Sequence, residues 1–149
     1  LKLIVACTLV LISVTVCAQQ RSLGYYQWKN RVILIFGEQR NVTSQYNTFD
    51  KSGLNERNLI VIGVTNQVKA LNTKKPAKAD LKGLTEKFQI PQENGRIAIP
   101  FKLILIGKDG TAKFSSEEQV TPEKIYEIID AMPMRKREMK KSSDGDSLH

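Results

Sequence analysis

The sequence predicts an α/β domain with a central mixed β-sheet of about four strands flanked by helices. Three observations carry this. Two short apolar runs rich in β-branched residues, at 31–37 and 59–64, have the length and composition of strands buried on both faces. Stripes of apolar residues at helical spacing lie between and after them. A third apolar run at 101–106 meets the tight turn Lys108-Asp109-Gly110 and returns as a fourth strand at 111–115. Strands alternating with helices bury their faces best around a parallel pair, and the closing hairpin adds an antiparallel edge.

The elements follow in order. After the first strand, Val42, Tyr46 and Phe49 recur at i, i+4 and i+7, so a helix is predicted from 41 to about 52, with Asn41 as its N-cap and Gly53 as its stop. Residues 65–77, polar and basic through Lys74-Lys75-Pro76, read as an exposed connection. Leu81, Leu84 and Phe88 mark a second helix, weakened by Gly83. Residues 91–100 are rich in turn formers, Asn94-Gly95 being the strongest. Thr121-Pro122-Glu123 supplies an N-cap, a proline at the first helical position and an acid in the first turn. Behind it Ile125, Ile128, Ile129 and Met132 form the last stripe, which Pro133 ends. This order of strands and helices is that of a thioredoxin-like fold.

The first 18 residues read as a signal peptide: Lys2, an apolar run from Leu3 to Cys17, and a small-residue site at Val16-Cys17-Ala18 cut after Ala18. The run falls short of the roughly 18 apolar residues that a membrane span needs. Both cysteines, Cys7 and Cys17, leave with it. A lipidated Cys17 is the rival reading, disfavoured by Val16 where a small residue is wanted. The expected organisation is a signal peptide at 1–18, a thioredoxin-like domain at 19–134 and a basic, flexible C-terminal tail at 135–149. The expected location is the periplasm or the outside of a bacterial cell, as a monomer that does not span the membrane. A formal charge of +8 points to anionic surroundings.

Four segments carry a family resemblance: Trp28-Lys29-Asn30-Arg31, Glu56-Arg57-Asn58-Leu59, Leu105-Ile106-Gly107-Lys108-Asp109-Gly110, and Ile129-Asp130-Ala131-Met132-Pro133-Met134-Arg135 followed by Glu138-Met139. On these the chain resembles the small exported proteins of domain of unknown function 4174. Similar domains occur in extracellular matrix proteins such as coiled-coil domain-containing protein 80 and the sushi-repeat-containing proteins. The resemblance implies a thioredoxin-like fold and brings no established activity.

Redox-active thioredoxin-like proteins place a reactive cysteine where the first strand meets the first helix, whose N-terminus stabilises a thiolate. Here that stretch is Gly37-Glu38-Gln39-Arg40-Asn41, without sulfur. Glu38, Arg40 and Gln45 are candidate binding residues beside the helix start; the plainer reading leaves Glu38 and Arg40 solvated and Gln45 facing a neighbouring strand. Pro100 joins the candidates because it precedes the third strand, where this fold sets a proline, cis in its usual form, against that loop. The single histidine, His149, ends the chain, so neither a Ser-His-Asp triad nor a histidine metal site assembles. No cofactor or metal is expected. Glu38, Glu56, Asp109 and Asp130 show no spacing suited to paired acid and base; Asp109 reads as a turn residue and Asp130 as the helix-end partner of a cation.

The basic run supplies Arg135, Arg137, Lys140 and Lys141 as candidates for an anionic glycan or lipid, or for an unknown protein. Nucleic acid is disfavoured because no aromatics interleave with the charges. Met132 and Met134 read as core or edge filler. Asn41-Val42-Thr43 matches a glycosylation sequon, though a capping role suits Asn41 better. The expected function is a non-catalytic binding or structural module. The alternative is an enzyme with a non-thiol site at the loop after the first strand.

Overall fold

The apolar run Arg31–Gly37 forms strand β1, buried along its whole length, at the centre of the computed structural model, which describes residues 22–146. The expected signal peptide and both cysteines lie outside the described residues. Strand β2 (Leu59–Val64) pairs parallel to β1, from Arg31 opposite Leu59 to Phe36 opposite Val64. On the other side of β1, β6 (Phe101–Ile106) runs antiparallel, followed by β7 (Ala112–Ser116). A short β3 (Val68–Ala70) adds to the outer edge of β2, giving a five-stranded sheet ordered β3-β2-β1-β6-β7. The mixed α/β architecture is the one predicted, with one more strand.

Period-two alternation along β1 divides the core. Val32, Leu34 and Phe36 pack with Ile62, Val64, Ile104 and Ile106 beneath Leu84 of α3 (Leu81–Lys87). Ile33 and Ile35 face the other way, toward Val42 of α1 (Gln39–Asn47), Leu54 of α2 (Lys51–Glu56), and Ile125 and Ile129 of α4 (Pro122–Asp130). The predicted start of α4 holds: Thr121 caps it by accepting from the Lys124 N–H, with Pro122 in the first turn. Asn94 and Gly95, both at positive φ, form the two-residue loop between β4 (Gln92–Glu93) and β5 (Arg96–Ile97). Asp109 is a turn residue, its carboxylate accepting from the Thr111 N–H and hydroxyl.

Four expectations need correction. The first helix is two helices, because the Asp50 carboxylate accepts the Gly53 N–H at 2.5 Å and starts α2 afresh. Gly53 is therefore inside α2 and no stop; a Cβ there would lie 2.6 Å from the Tyr126 hydroxyl of α4. Asn41 is no N-cap either, since α1 begins at Gln39 and the Asn41 amide donates to the Pro100 carbonyl at 2.9 Å. Residues 65–77 are not wholly a connection. They contain β3, and the Asn72 side chain extends its ladder, accepting from the Val61 N–H at 2.9 Å and donating to the Leu59 carbonyl at 2.7 Å.

The fourth correction concerns the expected tail. Residues from Pro133 to Asp146 form α5, because proline, which lacks an N–H, is at home in a helix's first turn and opens this one. No helix among the described residues is long and apolar enough to cross a membrane.

Gly37 joins β1 to α1 at φ +140, and a Cβ there would run into the Pro100 carbonyl. Replacing it with alanine should cost roughly 1–3 kcal/mol in urea unfolding. Gly95→Ala, at positive φ but in open space, is the comparison and should cost about 1 kcal/mol. Equal losses would remove the role given to the Pro100 contact.

Candidate functional site

Two ends of the sheet carry charge, and they differ in kind. At the C-terminal end of β1, Glu38 and Arg40 flank the start of α1 with their side chains 60% and 85% exposed, paired to each other at 3.5 Å. An exposed pair of this sort is worth little. Gln39 donates to the Thr43 hydroxyl, and the Glu38 N–H donates to the Pro100 carbonyl. All peptide bonds of the described residues are trans, Pro100 included. A depression of about 520 Å³ lies beside the loop, lined by Glu38, Gln39, Thr65, Asn66, Gln67 and Arg96 among others.

Gln45 does not join this loop. It is fully buried, donating to the Val120 carbonyl and accepting the Val120 N–H, both at 2.8 Å, which ties α1 to the segment before α4. Of the four residues expected around the loop, the structure brings Glu38 and Arg40 together in solvent. It uses the Pro100 backbone as an anchor and turns Gln45 into the core.

The N-terminal end of β1 is built otherwise. Arg31, its first residue, is 1% exposed; its Nη1 donates to the Arg57 carbonyl at 3.0 Å and to Glu138 of α5 at 3.1 Å. Lys108 Nζ, from the β6–β7 turn, donates to the same carboxylate at 2.7 Å. Asp130, the last residue of α4, takes Arg57 through both oxygens at 3.1 and 2.7 Å, and Arg135 Nε at 3.0 Å. Arg135 also donates to the Glu56 carboxylate and, at 3.1 Å, to the Glu56 carbonyl. The Arg57 guanidinium stacks on the Tyr126 ring at 4.2 Å.

Burial by itself would raise the carboxyls of Asp130 and Glu138, yet both are held below their ordinary values. The hydrogen bonds and charge of Arg57 and Arg135 do this at Asp130, and those of Lys108 and Arg31 at Glu138. At the rim, Lys113 and the Thr111 N–H bring Asp109 down to about 2.

The candidates on the basic run are divided by the helix they form. Arg135 faces inward and is 4% exposed, so it is a member of the cluster and no contact for an outside ligand. Arg137, Lys140 and Lys141 are exposed, and Lys136 joins them on the same side of α5. Reading by residue type missed Arg31, Arg57, Lys108 and Glu138. A signal was present: all seven charged members of the cluster fall in the four segments that carry the family resemblance. Asp130 has the cation partners expected of it.

Among the described residues, no three His, Cys, Asp or Glu side chains gather as a group able to hold a metal ion. The parallel β1–β2 pair, its helical crossover and the antiparallel β6–β7 hairpin define a thioredoxin-like domain. The fold is similar to that of the reduced 2-Cys peroxiredoxin of Plasmodium vivax, at a TM-score of 0.50 and 15% identity over 77% of this chain and 84% of that one. At that identity the likeness is one of fold. The chain belongs to the family described as Domain of unknown function (DUF4174), which matches residues 22–138 and so takes in the whole ionic cluster. No curated protein matches it.

Breaking the cluster should be costly where a nearby exposed charge is not. Arg135→Ala should lower unfolding stability by about 1–3 kcal/mol, because it removes a buried guanidinium that hydrogen-bonds Asp130 and both the carboxylate and the carbonyl of Glu56. Arg137→Ala should stay within about 0.5 kcal/mol. Similar losses in the two would contradict the inward and outward assignment.

Because Asp130 and Glu138 have folded values below their ordinary 3.8 and 4.5, their contribution is complete above those values and is lost as pH falls through the lower folded ones. The urea midpoint should therefore drop steadily below about pH 5. Glu138→Gln should flatten that drop, leaving the part due to Asp130, Asp109 and Asp50, whose carboxyl the Gly53 N–H also lowers. A variant as acid-sensitive as the parent would refute the linkage.

Proposed function

We propose that this domain is a non-catalytic binding or structural module that works outside the cytoplasm, in the periplasm or the extracellular space, and holds anionic glycan or lipid surfaces. The observation that carries this reading is the outer face of α5. Lys136, Arg137, Lys140 and Lys141 stand at i, i+1, i+4 and i+5, all exposed, while Arg135 and Glu138 on the same helix turn inward to the ionic cluster. The ion pairs hold the helix, and the four cations are left on one side of it. The formal charge of +8 favours the same kind of partner, and the leader-like first 18 residues favour export. No thiol is available for chemistry among the described residues, since both cysteines precede them.

An enzyme with a non-thiol site at the β1–α1 loop has less behind it. Glu38 and Arg40 extend into solvent and neutralise each other, so they do not converge on a sheltered place where a substrate could react.

The test is retention of the purified protein on vesicles containing anionic phospholipid and, separately, on acidic glycan beads at rising salt. Binding should weaken steeply with salt. Changing Lys136, Arg137, Lys140 and Lys141 together to glutamine should weaken it at least tenfold, given roughly 1 kcal/mol per basic residue near an anionic surface. Absent or salt-insensitive retention, or no effect of the fourfold variant, would overturn the reading.

A further inference from the structure

We propose that the cavity between the β6–β7 hairpin and the α4–α5 junction is a binding site for a small organic monocarboxylate with an apolar body. The cavity holds about 330 Å³, and its wall includes Arg31, Lys108, Asp109, Lys113, Met132 and Met134. Its volume lies in the range of roughly 300–1,000 Å³ used for small ligands. It is separate from the outer face of α5 and from the β1–α1 loop, which is at the opposite end of β1.

The charges set the ligand's charge. Lys108 Nζ is paired with Glu138 and Lys113 Nζ with Asp109, each at 2.7 Å. Arg31 shares the Glu138 carboxylate with Lys108, so three cations face two carboxylates and one positive charge is left over. Arg31 also has a donor left over. Its two terminal nitrogens are engaged by Glu138 and the Arg57 carbonyl, but its Nε is buried without a hydrogen-bond partner, the one such side-chain nitrogen or oxygen among the described residues. A buried donor without an acceptor is costly. One carboxylate in the cavity cancels the excess charge; the Nε itself is closed off from the cavity and takes no part. A phosphate dianion finds no second uncompensated cation, and Asp109 in the wall opposes it.

The rest of the wall sets the ligand's body. Met132, Pro133 and Met134 present a flexible apolar surface that adapts to an aliphatic or aromatic group. Pro133 and Met134 are also the first residues of α5, a helix of 14 residues, so its positive end adds to the attraction for an anion. Acetate has the charge but nothing to place against the methionines.

The test is titration of the full chain with hexanoate, read from the methyl signals of its three methionines, Met132, Met134 and Met139. Hexanoate should shift Met132 and Met134 saturably. Hexanamide, acetate and inorganic phosphate at matched ionic strength should need at least tenfold more ligand for the same shift. Lys113→Met removes the excess charge at the rim and should weaken hexanoate at least fivefold.

The fourfold α5 variant should bind hexanoate unchanged, so loss of surface retention and loss of this site can be told apart. Four results would overturn the proposal: no shift of Met132 and Met134, hexanamide or phosphate acting as strongly as hexanoate, unaltered affinity in Lys113→Met, or loss of hexanoate binding in the fourfold variant.

Discussion

Asp130 and Glu138 sit where four cationic side chains meet, and the arrangement of the C-terminal third depends on them. Arg31 comes from the central strand, Arg57 from the turn between α2 and β2, Lys108 from the β6–β7 turn and Arg135 from α5. The two carboxylates therefore join the sheet, α2, α4 and α5 at one place. Helix α5 has little apolar surface with which to bind the domain, so its position rests on the inward ion pairs of Arg135 and Glu138. Buried charges do not add stability cheaply, since desolvation offsets much of the attraction. What they do is penalise every other placement of α5, which would leave the buried Arg31 guanidinium without its carboxylate partner.

The contrast between the two ends of β1 follows from burial. Gly37 lies six residue steps beyond Arg31, a distance of roughly 20 Å at about 3.3 Å per step. At the Gly37 end, Glu38 and Arg40 pair in water and restrain nothing. At the Arg31 end, a comparable set of charges is shielded, shares hydrogen bonds and shifts the carboxyls it contains. The end at which this architecture has a helix start free to stabilise an anion is polar and open here, while the opposite end holds the dense electrostatics. The loop itself, Gly37 to Asn41, contains no cysteine.

Much of the fold was legible because it rests on local rules. The three apolar strands, the Thr121-Pro122 start of α4, the Asn94-Gly95 loop and the Lys108-Asp109-Gly110 turn each follow from hydrophobic period or from turn and cap chemistry within a few residues. Some misreadings involve a partner far along the chain, and others come from elements too short or too polar to show a period. Gly53 resembled a stop because its need for space against Tyr126 of α4 is not visible nearby. Strand β3 went unread because it is three residues long, and Asn72 completes its ladder with a side chain. Helix α5 resembled a tail because a basic, apolar-poor segment gives no helical stripe.

The sequence by itself determined an α/β domain of thioredoxin-like order, a strongly basic chain, and a loop after β1 without sulfur, because composition and short-range periodicity suffice for those. It also contained every charged member of the ionic cluster within segments recognisable as those of a family. Only the tertiary structure decided which charges are structural and which are free. Arg135 and Arg137 are two residues apart and identical in type, yet one is buried between Asp130 and Glu56 and the other faces solvent. The difference arises from the helical turn between them and from carboxylates brought up by α2 and α4. Such a partner is fixed by packing across the whole domain, which no local pattern encodes.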